Sequence, residues 1–353
     1  MPPDNSVDLA KPKTGRSGFS AAGQVTFDVV LRLGGLFGAI VLVAIIIFVA
    51  KPSSFNLDVG ISVLRAMSSV AIMSLGLTLV VVVGEIDLSF GAVYGLCANV
   101  LAVLWIVHGL SIYAALPLAI ASGALVGLFN GALVTWLKIP SFIVTLGSYN
   151  LLYGVSLWIT HTSTFNPAYP PPGAVVPDTD LNFFTALTAS FGNHPISMEV
   201  LWMIGLALIV GLLLHRTLFG FRLVAVGGNP VAARLARLPV TKYRILAFVL
   251  CGVLAAFAGI LDFSFIQTVQ PNSGLSATFP VFAAVIIGGA SLSGGKGTVI
   301  GTLGGALLLA ELQQGLALLS PGPHVQQLFL GAVTIGAVAL DLALTKIRTR
   351  RAS

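Results

Sequence analysis

Residues 71–107 read AIMSLGLTLVVVVGEIDLSFGAVYGLCANVLAVLWIV. Two apolar runs, 61–83 and 88–107, meet around Gly84-Glu85-Ile86-Asp87-Leu88-Ser89. Each run is close to the roughly 20 residues that a helix needs to cross a bilayer. Working outward, eight further runs can be drawn, at 33–50, 112–136, 141–160, 198–214, 245–264, 279–293, 297–318 and 325–343. The pattern predicts an all-α polytopic membrane protein with about ten transmembrane helices. The run at 279–293 is short and Gly-rich at its end, the form of a half-helix or re-entrant piece, which needs protein or a cavity over its backbone. Composition agrees. The 353 residues are 56% hydrophobic and 8% charged, against about 25% charged in a soluble domain, and mean hydropathy is +0.99. A soluble enzyme, a disordered chain and a nucleic-acid binder are excluded, and membrane lipid is the expected surroundings.

Charge orients the spans. With the N-terminus inside, the inner stretches hold Lys11, Lys13, Arg16, Arg32, Lys138, Lys296, a C-terminal group of four and six between spans six and seven. Only Lys51 and Arg65 fall outside. Basic residues concentrate on the cytoplasmic side, so both termini are expected in the cytoplasm. Residues 1–32 read as a disordered cytoplasmic tail ahead of an uncleaved first span, 33–345 as the membrane domain and 346–353 as a basic tail. An external loop of about 161–197 is rich in proline, with room for a short helix at Phe183–Ser190. An inner loop of about 215–244 carries Arg216, Arg222, Arg234, Arg237, Lys242 and Arg244.

Polar residues inside the apolar runs are the candidates for function. Glu85, Asp87 and Ser89 interrupt the chain between two glycines, Gly84 and Gly91. Intramembrane carboxylates face a cavity or a partner, but Asp or Ser can also cap a helix that starts after a short turn. Asn99, Asn130, Gln267, Asn272, Gln313 and Gln314 suit hydrogen bonds between helices or a polar route for a hydroxylated solute. In the inner loop, Asn229 is a good N-cap and Pro230 suits the first helical position. A helix of about eight residues is expected there, with Ala232, Leu235 and Ala236 on one side, Ala233 and Arg234 within it, and Pro239 as its stop. Gly91/Gly95, Gly123/Gly127/Gly131 and Gly297/Gly301/Gly305 are spaced for close helix packing. Cys97 and Cys251 read as buried small hydrophobes, since neither has a C-x-x-C or Cys/His neighbourhood and no metal site is indicated. Gly288–Thr298 misses the phosphate-loop pattern: Ala290 stands at the required first glycine and Gly297 follows Lys296. No nucleotide cofactor is therefore expected on this chain.

Taken together these residues resemble bacterial ATP-binding-cassette importer permeases for ribose, xylose, galactose and related monosaccharides. The resemblance rests on Gly84–Ser89, on Gly127-Leu128-Phe129-Asn130-Gly131, and on Pro140-Ser141-Phe142-Ile143-Val144-Thr145-Leu146-Gly147. It rests also on Gly228-Asn229-Pro230 with Ala232-Ala233-Arg234-Leu235, and on Gly288–Gly297. The matches follow the family's order from about residue 55 to 342. The resemblance implies two permease copies, a cytoplasmic ATPase that carries ATP and Mg, and a periplasmic sugar-binding protein. It places the coupling helix at Asn229–Leu238, and it turns 161–197 and Thr268–Ser276 toward the binding protein in a bacterial inner membrane. Glu85 and Phe90 depart from the commoner Gly and Val, and Thr278-Phe279-Pro280-Val281 replaces a stretch that is usually acidic. A branched-chain amino-acid or nucleoside permease shares the broad fold. An ion-driven secondary transporter would need an intramembrane charge relay, for which Glu85, Asp87 and Glu311 are the candidates.

Overall fold

A computed structural model describes residues 21–54, 56–190, 196–319, 322, 324–336 and 339. The described residues are overwhelmingly helical, and their only β-pairing is two isolated bridges. Twelve α-helices follow in order: α1 Ala21–Ala50, α2 Leu57–Val82, α3 Phe90–Ala102, α4 Ile112–Trp136, α5 Ser141–Thr160 and α6 Asp178–Ala186. Then come α7 Met198–Arg216, α8 Leu218–Gly228, α9 Pro230–Leu235, α10 Val240–Ile266, α11 Thr278–Ile287 and α12 Val299–Leu318. Residues 324–336 are helical as well. Seven helices are long and apolar enough to cross a membrane, namely α2, α3 with its π-helical extension to Val107, α4, α5, α7, α10 and α12. The apolar stretches Gly34–Ala50 and Leu275–Ile287 are shorter.

Burial sorts these helices. The most apolar window of α2 is 78% buried and that of α4 only 28%, so α2 is central and α4 shows one side to the outside. Helix α4 buries Ile112, Ala115, Ala119, Gly123, Gly127, Asn130, Gly131 and Val134, a stripe at three- and four-residue steps. That stripe packs on α10. A Cβ on Gly123 would lie 2.5 Å from the Gly252 carbonyl oxygen, and one on Gly131 2.9 Å from the Ile245 Cα. Glycine is required there because the two backbones touch. Cys97 and Cys251 are buried free thiols, as expected.

Three local expectations change. Helix α1 begins at Ala21, so residues 21–32 are helical rather than a disordered tail. No proline stands between Ala21 and Arg32, and helical hydrogen bonding carries back from the apolar run. Residues 1–20 and the tail at 346–353 lie outside the described residues. The helix expected at Phe183–Ser190 spans Asp178–Ala186 instead. Pro177 precedes it, and Asp178 and Asp180 occupy the first turn, where carboxylates favour the positive helix end. The loop 215–244 holds two helices rather than one, because Thr217 starts α8 by accepting the Gly220 amide at 3.3 Å.

Eight basic residues gather at one end of the bundle: Lys138, Arg216, Arg222, Arg234, Arg237, Lys242, Arg244 and Lys296. The opposite end carries Lys51, whose ammonium donates to the Leu318 carbonyl at 3.0 Å. It also carries the stretch 161–190 with α6 and the turn after Ile266, joined by the Phe165–Val269 bridge.

Candidate functional site

The interruption after α2 begins as a helix stop. Gly84 adopts φ +86°. Its amide donates to the Val81 carbonyl at 3.0 Å and that of Glu85 to Val80 at 3.0 Å. This paired closure is the ordinary way a left-handed glycine ends a helix. The next residues are clamped from α5: the Ile86 amide donates to Ser141 Oγ at 3.1 Å, and Thr145 Oγ1 donates to the Ile86 carbonyl at 3.4 Å.

A chain of polar side chains then crosses three helices. Ser148 Oγ donates to Asn130 Oδ1 at 2.5 Å, and Asn130 Nδ2 donates to Ser89 Oγ at 2.8 Å. Ser89 Oγ donates to Asp87 Oδ1 at 2.6 Å, and the same oxygen accepts the Ser89 amide at 2.8 Å. All four residues are buried. Asn130 lies about two turns before the end of α4, and Ser148 about two turns into α5. At 1.5 Å per residue that is roughly 10 Å inside the helix ends. The break thus lies within the bundle, not on its surface. Asp87 acts ahead of α3 rather than as its cap, and Ser89, at the N-cap position, makes no side-chain capping bond.

Glu85 points the other way. Its Oε1 lies 3.0 Å from Arg244 Nε on α10, and Glu85 is 8% exposed. Beside this pair, the Gly295 amide donates to the Val82 carbonyl at 2.8 Å. Gly227 packs against the same carbonyl, so close that any side chain would collide. The break, the α8–α9 junction and the 288–298 loop therefore meet at the basic end.

Helix α9 starts as expected. Asn229 Oδ1 accepts the Val231 and Ala232 amides at 3.1 and 2.9 Å, with Pro230 following. It stops earlier than expected, after six residues. Arg237 takes the left-handed conformation at φ +59°, and its neighbour Leu238 donates back to Ala233 at 3.0 Å. Its buried face is Ala233 alone, not Ala232, Leu235 and Ala236. So short a helix can turn only one side chain toward α8 and α10, and Val231 and Leu235 stand exposed. Between α9 and the α4–α5 turn lies a cavity of about 650 Å³, lined by Glu85, Lys138, Ser141, Arg234 and Arg244 among others.

The remaining polar candidates do not join this site. Asn99 donates to the Gly95 and Gln270 carbonyls at 2.8 and 3.0 Å, near the opposite end. Gln267 closes α10 in a left-handed conformation and donates to the Ser264 carbonyl, while Asn272 is exposed in the turn that follows. Gln314 reaches toward the Ser62 carbonyl at 3.5 Å. With Glu311 it lines a separate, mainly apolar cavity of about 450 Å³ between α1, α2 and α12. Gln313 is half-buried on the same helix.

Sequence reasoning missed a second buried polar group. The Tyr94 hydroxyl donates to the Asp262 carboxylate. Arg65 lies 3.5 Å over the Phe265 ring, and its charge acts on both Asp262 and Glu199. Glu199 is 2% exposed, with Oε2 unpartnered among the described residues. The intramembrane carboxylates are therefore not limited to Glu85, Asp87 and Glu311. Asp262 was legible as a lone acid inside the apolar run 245–264. Ser148 carried no signal, nor did the pairing of Arg244 with Glu85 or of Ser141 with Ile86, because the partners are remote in sequence.

Seven helices long and apolar enough to cross a membrane, with a polar break buried inside one end, define a multi-pass membrane protein. The chain belongs to the family described as branched-chain amino acid transport system / permease component, whose model matches residues 60–338. It is 33% identical to the ribose import permease of Escherichia coli over 310 residues, 87% of this chain and 92% of the relative. It is also 33% identical to the galactose/methyl galactoside import permease of that species over 336 residues, 91% and 97% of the two chains. The autoinducer 2 import system permease of Photorhabdus laumondii is 33% identical over 301 residues, 85% and 88%. The resemblance drawn from Gly84–Ser89 and the later motifs is borne out, and the chain is a multi-pass protein of the bacterial inner membrane.

Proposed function

We propose that this chain is the membrane permease subunit of an ATP-driven importer for a monosaccharide or a related polyol. The observation that carries the reading is the sustained similarity, at 33% over most of both chains, to permeases that import ribose and galactose. In this reading the chain crosses the membrane about ten times, with α1, α11 and the helix at 324–336 completing the set. The basic end and both termini face the cytoplasm, in keeping with the eight basic residues gathered there.

Helix α9 docks on a cytoplasmic ATPase that supplies ATP and Mg, and Asn229, Pro230, Ala232, Arg234, Leu235 and Ala236 form or border the contact, with Ala233 as its anchor in the bundle. The exposure of Val231 and Leu235, at 63% and 83%, on a capped helix at the basic end supports this. Motion of α9 passes to α8 and α10 on either side. A periplasmic sugar-binding protein delivers solute at the opposite end, and a second copy of the chain completes the pathway. Asp87, Ser89 and Asn130 shape that pathway by holding the break rather than by gripping the sugar.

The test is reconstitution with a cassette ATPase and a sugar-binding protein from the same organism, followed by uptake of labelled ribose, galactose, xylose and leucine. ATP-dependent uptake of one of the sugars is expected. Uptake of leucine alone would move the chain to the amino-acid branch that its family description names. Uptake without any ATPase, abolished by an uncoupler, would make it an ion-driven transporter. Replacing Arg234 and Leu235 together should leave ATP hydrolysis in place and cut uptake at least tenfold.

A further inference from the structure

The cavity beside α9 has a composition that the coupling reading does not use. Three cations line it, Lys138 from the α4–α5 turn, Arg234 from α9 and Arg244 from α10, against one carboxylate, Glu85. Glu85 is already engaged by Arg244. Lys138 and Arg234 have no carboxylate within 4.0 Å among the described residues. Both are exposed, as are Arg237 and Lys242 on the same short stretch of chain. Lys138 is also held at φ +56°, a conformation that non-glycine residues rarely adopt. A concave surface with an excess of positive charge focuses its field and attracts an anion more strongly than a flat one does. Arg244 already holds one side-chain carboxylate, that of Glu85. The hydroxyls of Ser141 and Thr241, also in the lining, can donate to a second.

We infer that this cavity receives an acidic side chain of the cytoplasmic ATPase, seated between Lys138 and Arg234 when that partner docks on α9. The inference rests on the reading of α9 as the docking helix. It adds a second, ionic contact to it, from the α4–α5 turn. Arg234 lines the cavity and lies on α9 next to the exposed Leu235, so the cavity adjoins the helix read as the docking element. The contact ties α5, whose Ser141 and Thr145 clamp Ile86, to the same partner that moves α9. Through it the ATPase holds both walls of the break.

The experiment measures the affinity of the purified ATPase for the full-length permease in nanodiscs of neutral phosphatidylcholine, and again in discs containing phosphatidylglycerol. Four variants are compared: the double reversal Lys138→Glu with Arg234→Glu, the conservative pair Lys138→Arg with Arg234→Lys, Lys138→Glu alone, and Leu235→Ala. Size-exclusion profiles establish that each variant is folded. The double reversal is expected to weaken binding about tenfold or more, as lost or reversed interfacial charge pairs do. Lys138→Glu alone should weaken it severalfold, and the conservative pair should restore it. Wild-type affinity should fall with salt more steeply than that of the double reversal. If Leu235→Ala weakens binding while Lys138→Glu does not, the cavity has no part in docking and the inference fails with the α9 reading intact. If neither does, the α9 reading itself fails. If Lys138→Glu matters only in the phosphatidylglycerol discs, the cavity holds a lipid headgroup instead, and the inference is likewise overturned.

Discussion

The two ends of the bundle are built from different interactions. At the end that carries α6, aromatic rings fill the space between helices. Phe184 meets Trp105 at a tilt and Phe263 edge-on, both at 4.9 Å, and Tyr113 meets Phe183 at 4.8 Å. Buried hydrogen bonds fasten the plug: Ile112 donates its amide to Asp180 at 2.8 Å, and Ser264 donates to the Phe184 carbonyl at 2.5 Å. At the basic end the described residues hold one ring pair, Phe219 with Tyr243 at 5.7 Å. Short loops meet backbone to backbone, and Asp87, Ser89, Asn130 and Ser148 hold a break in the helix by side-chain hydrogen bonds. Interlocked rings resist displacement because any shift opens a void. A relay of hydroxyls and an amide can exchange partners at modest cost if new ones are supplied, yet is expensive to leave half-made. In the proposed reading the plugged end serves as a fixed platform, and the basic end converts a small displacement of α9 into a rearrangement inside the membrane.

The largest effect should come from emptying the platform. Phe184→Ala removes a fully buried ring and should cost about 3–5 kcal/mol, read as a drop of several degrees in the thermal unfolding midpoint in detergent. Full stability in that variant would break the contrast between the ends. Next comes the relay. Asp87→Ala leaves Ser89 without its acceptor and should cost about 1–3 kcal/mol, with uptake reduced at least tenfold in membranes that contain normal amounts of protein. Asn130→Ala, which cuts the relay one step further on, should show the same ratio of transport loss to stability loss. A stability loss with wild-type uptake would make the relay purely architectural. The smallest effect belongs to Asn229→Ala. Loss of the cap on α9 should cost about 1 kcal/mol locally, so hydrogen exchange at Val231 and Ala232 should quicken while the global unfolding midpoint barely moves.

Much of this was readable beforehand where the physics is local. The segments at 112–136 and 141–160 coincide with α4 and α5, since a bilayer demands long apolar runs. Asn229-Pro230 capped the helix it was expected to cap, because capping involves only the next three residues. The same local rules said little about which face of α9 would be buried. Six residues make too little helix for periodicity to decide it, and the positions of α8 and α10 decided it instead. The polar list fared similarly. Glu85, Asp87, Ser89 and Asn130 converge on one site, but Asn99, Gln267 and Asn272 belong to the other end, and Gln313 and Gln314 to α12. An amide in an apolar run announces that it needs a partner, not where that partner lies. Arg65, Tyr94, Glu199 and Asp262 come from four helices, so their assembly was invisible to any reading along the chain.

By itself the sequence determined that the chain is helical, that it crosses a membrane repeatedly, where its basic residues collect and to which family it belongs. These follow from hydrophobicity, helix capping and a few short motifs, all of which act over a turn or two of chain. The tertiary structure alone decided that Asp87 is sealed inside the bundle by Asn130 and Ser148, that Glu85 answers to Arg244, and that Lys138 and Arg234 share one cavity. Those pairings join residues 18 to about 160 positions apart, and only the packing of glycine faces and buried apolar surface brings such distant positions together.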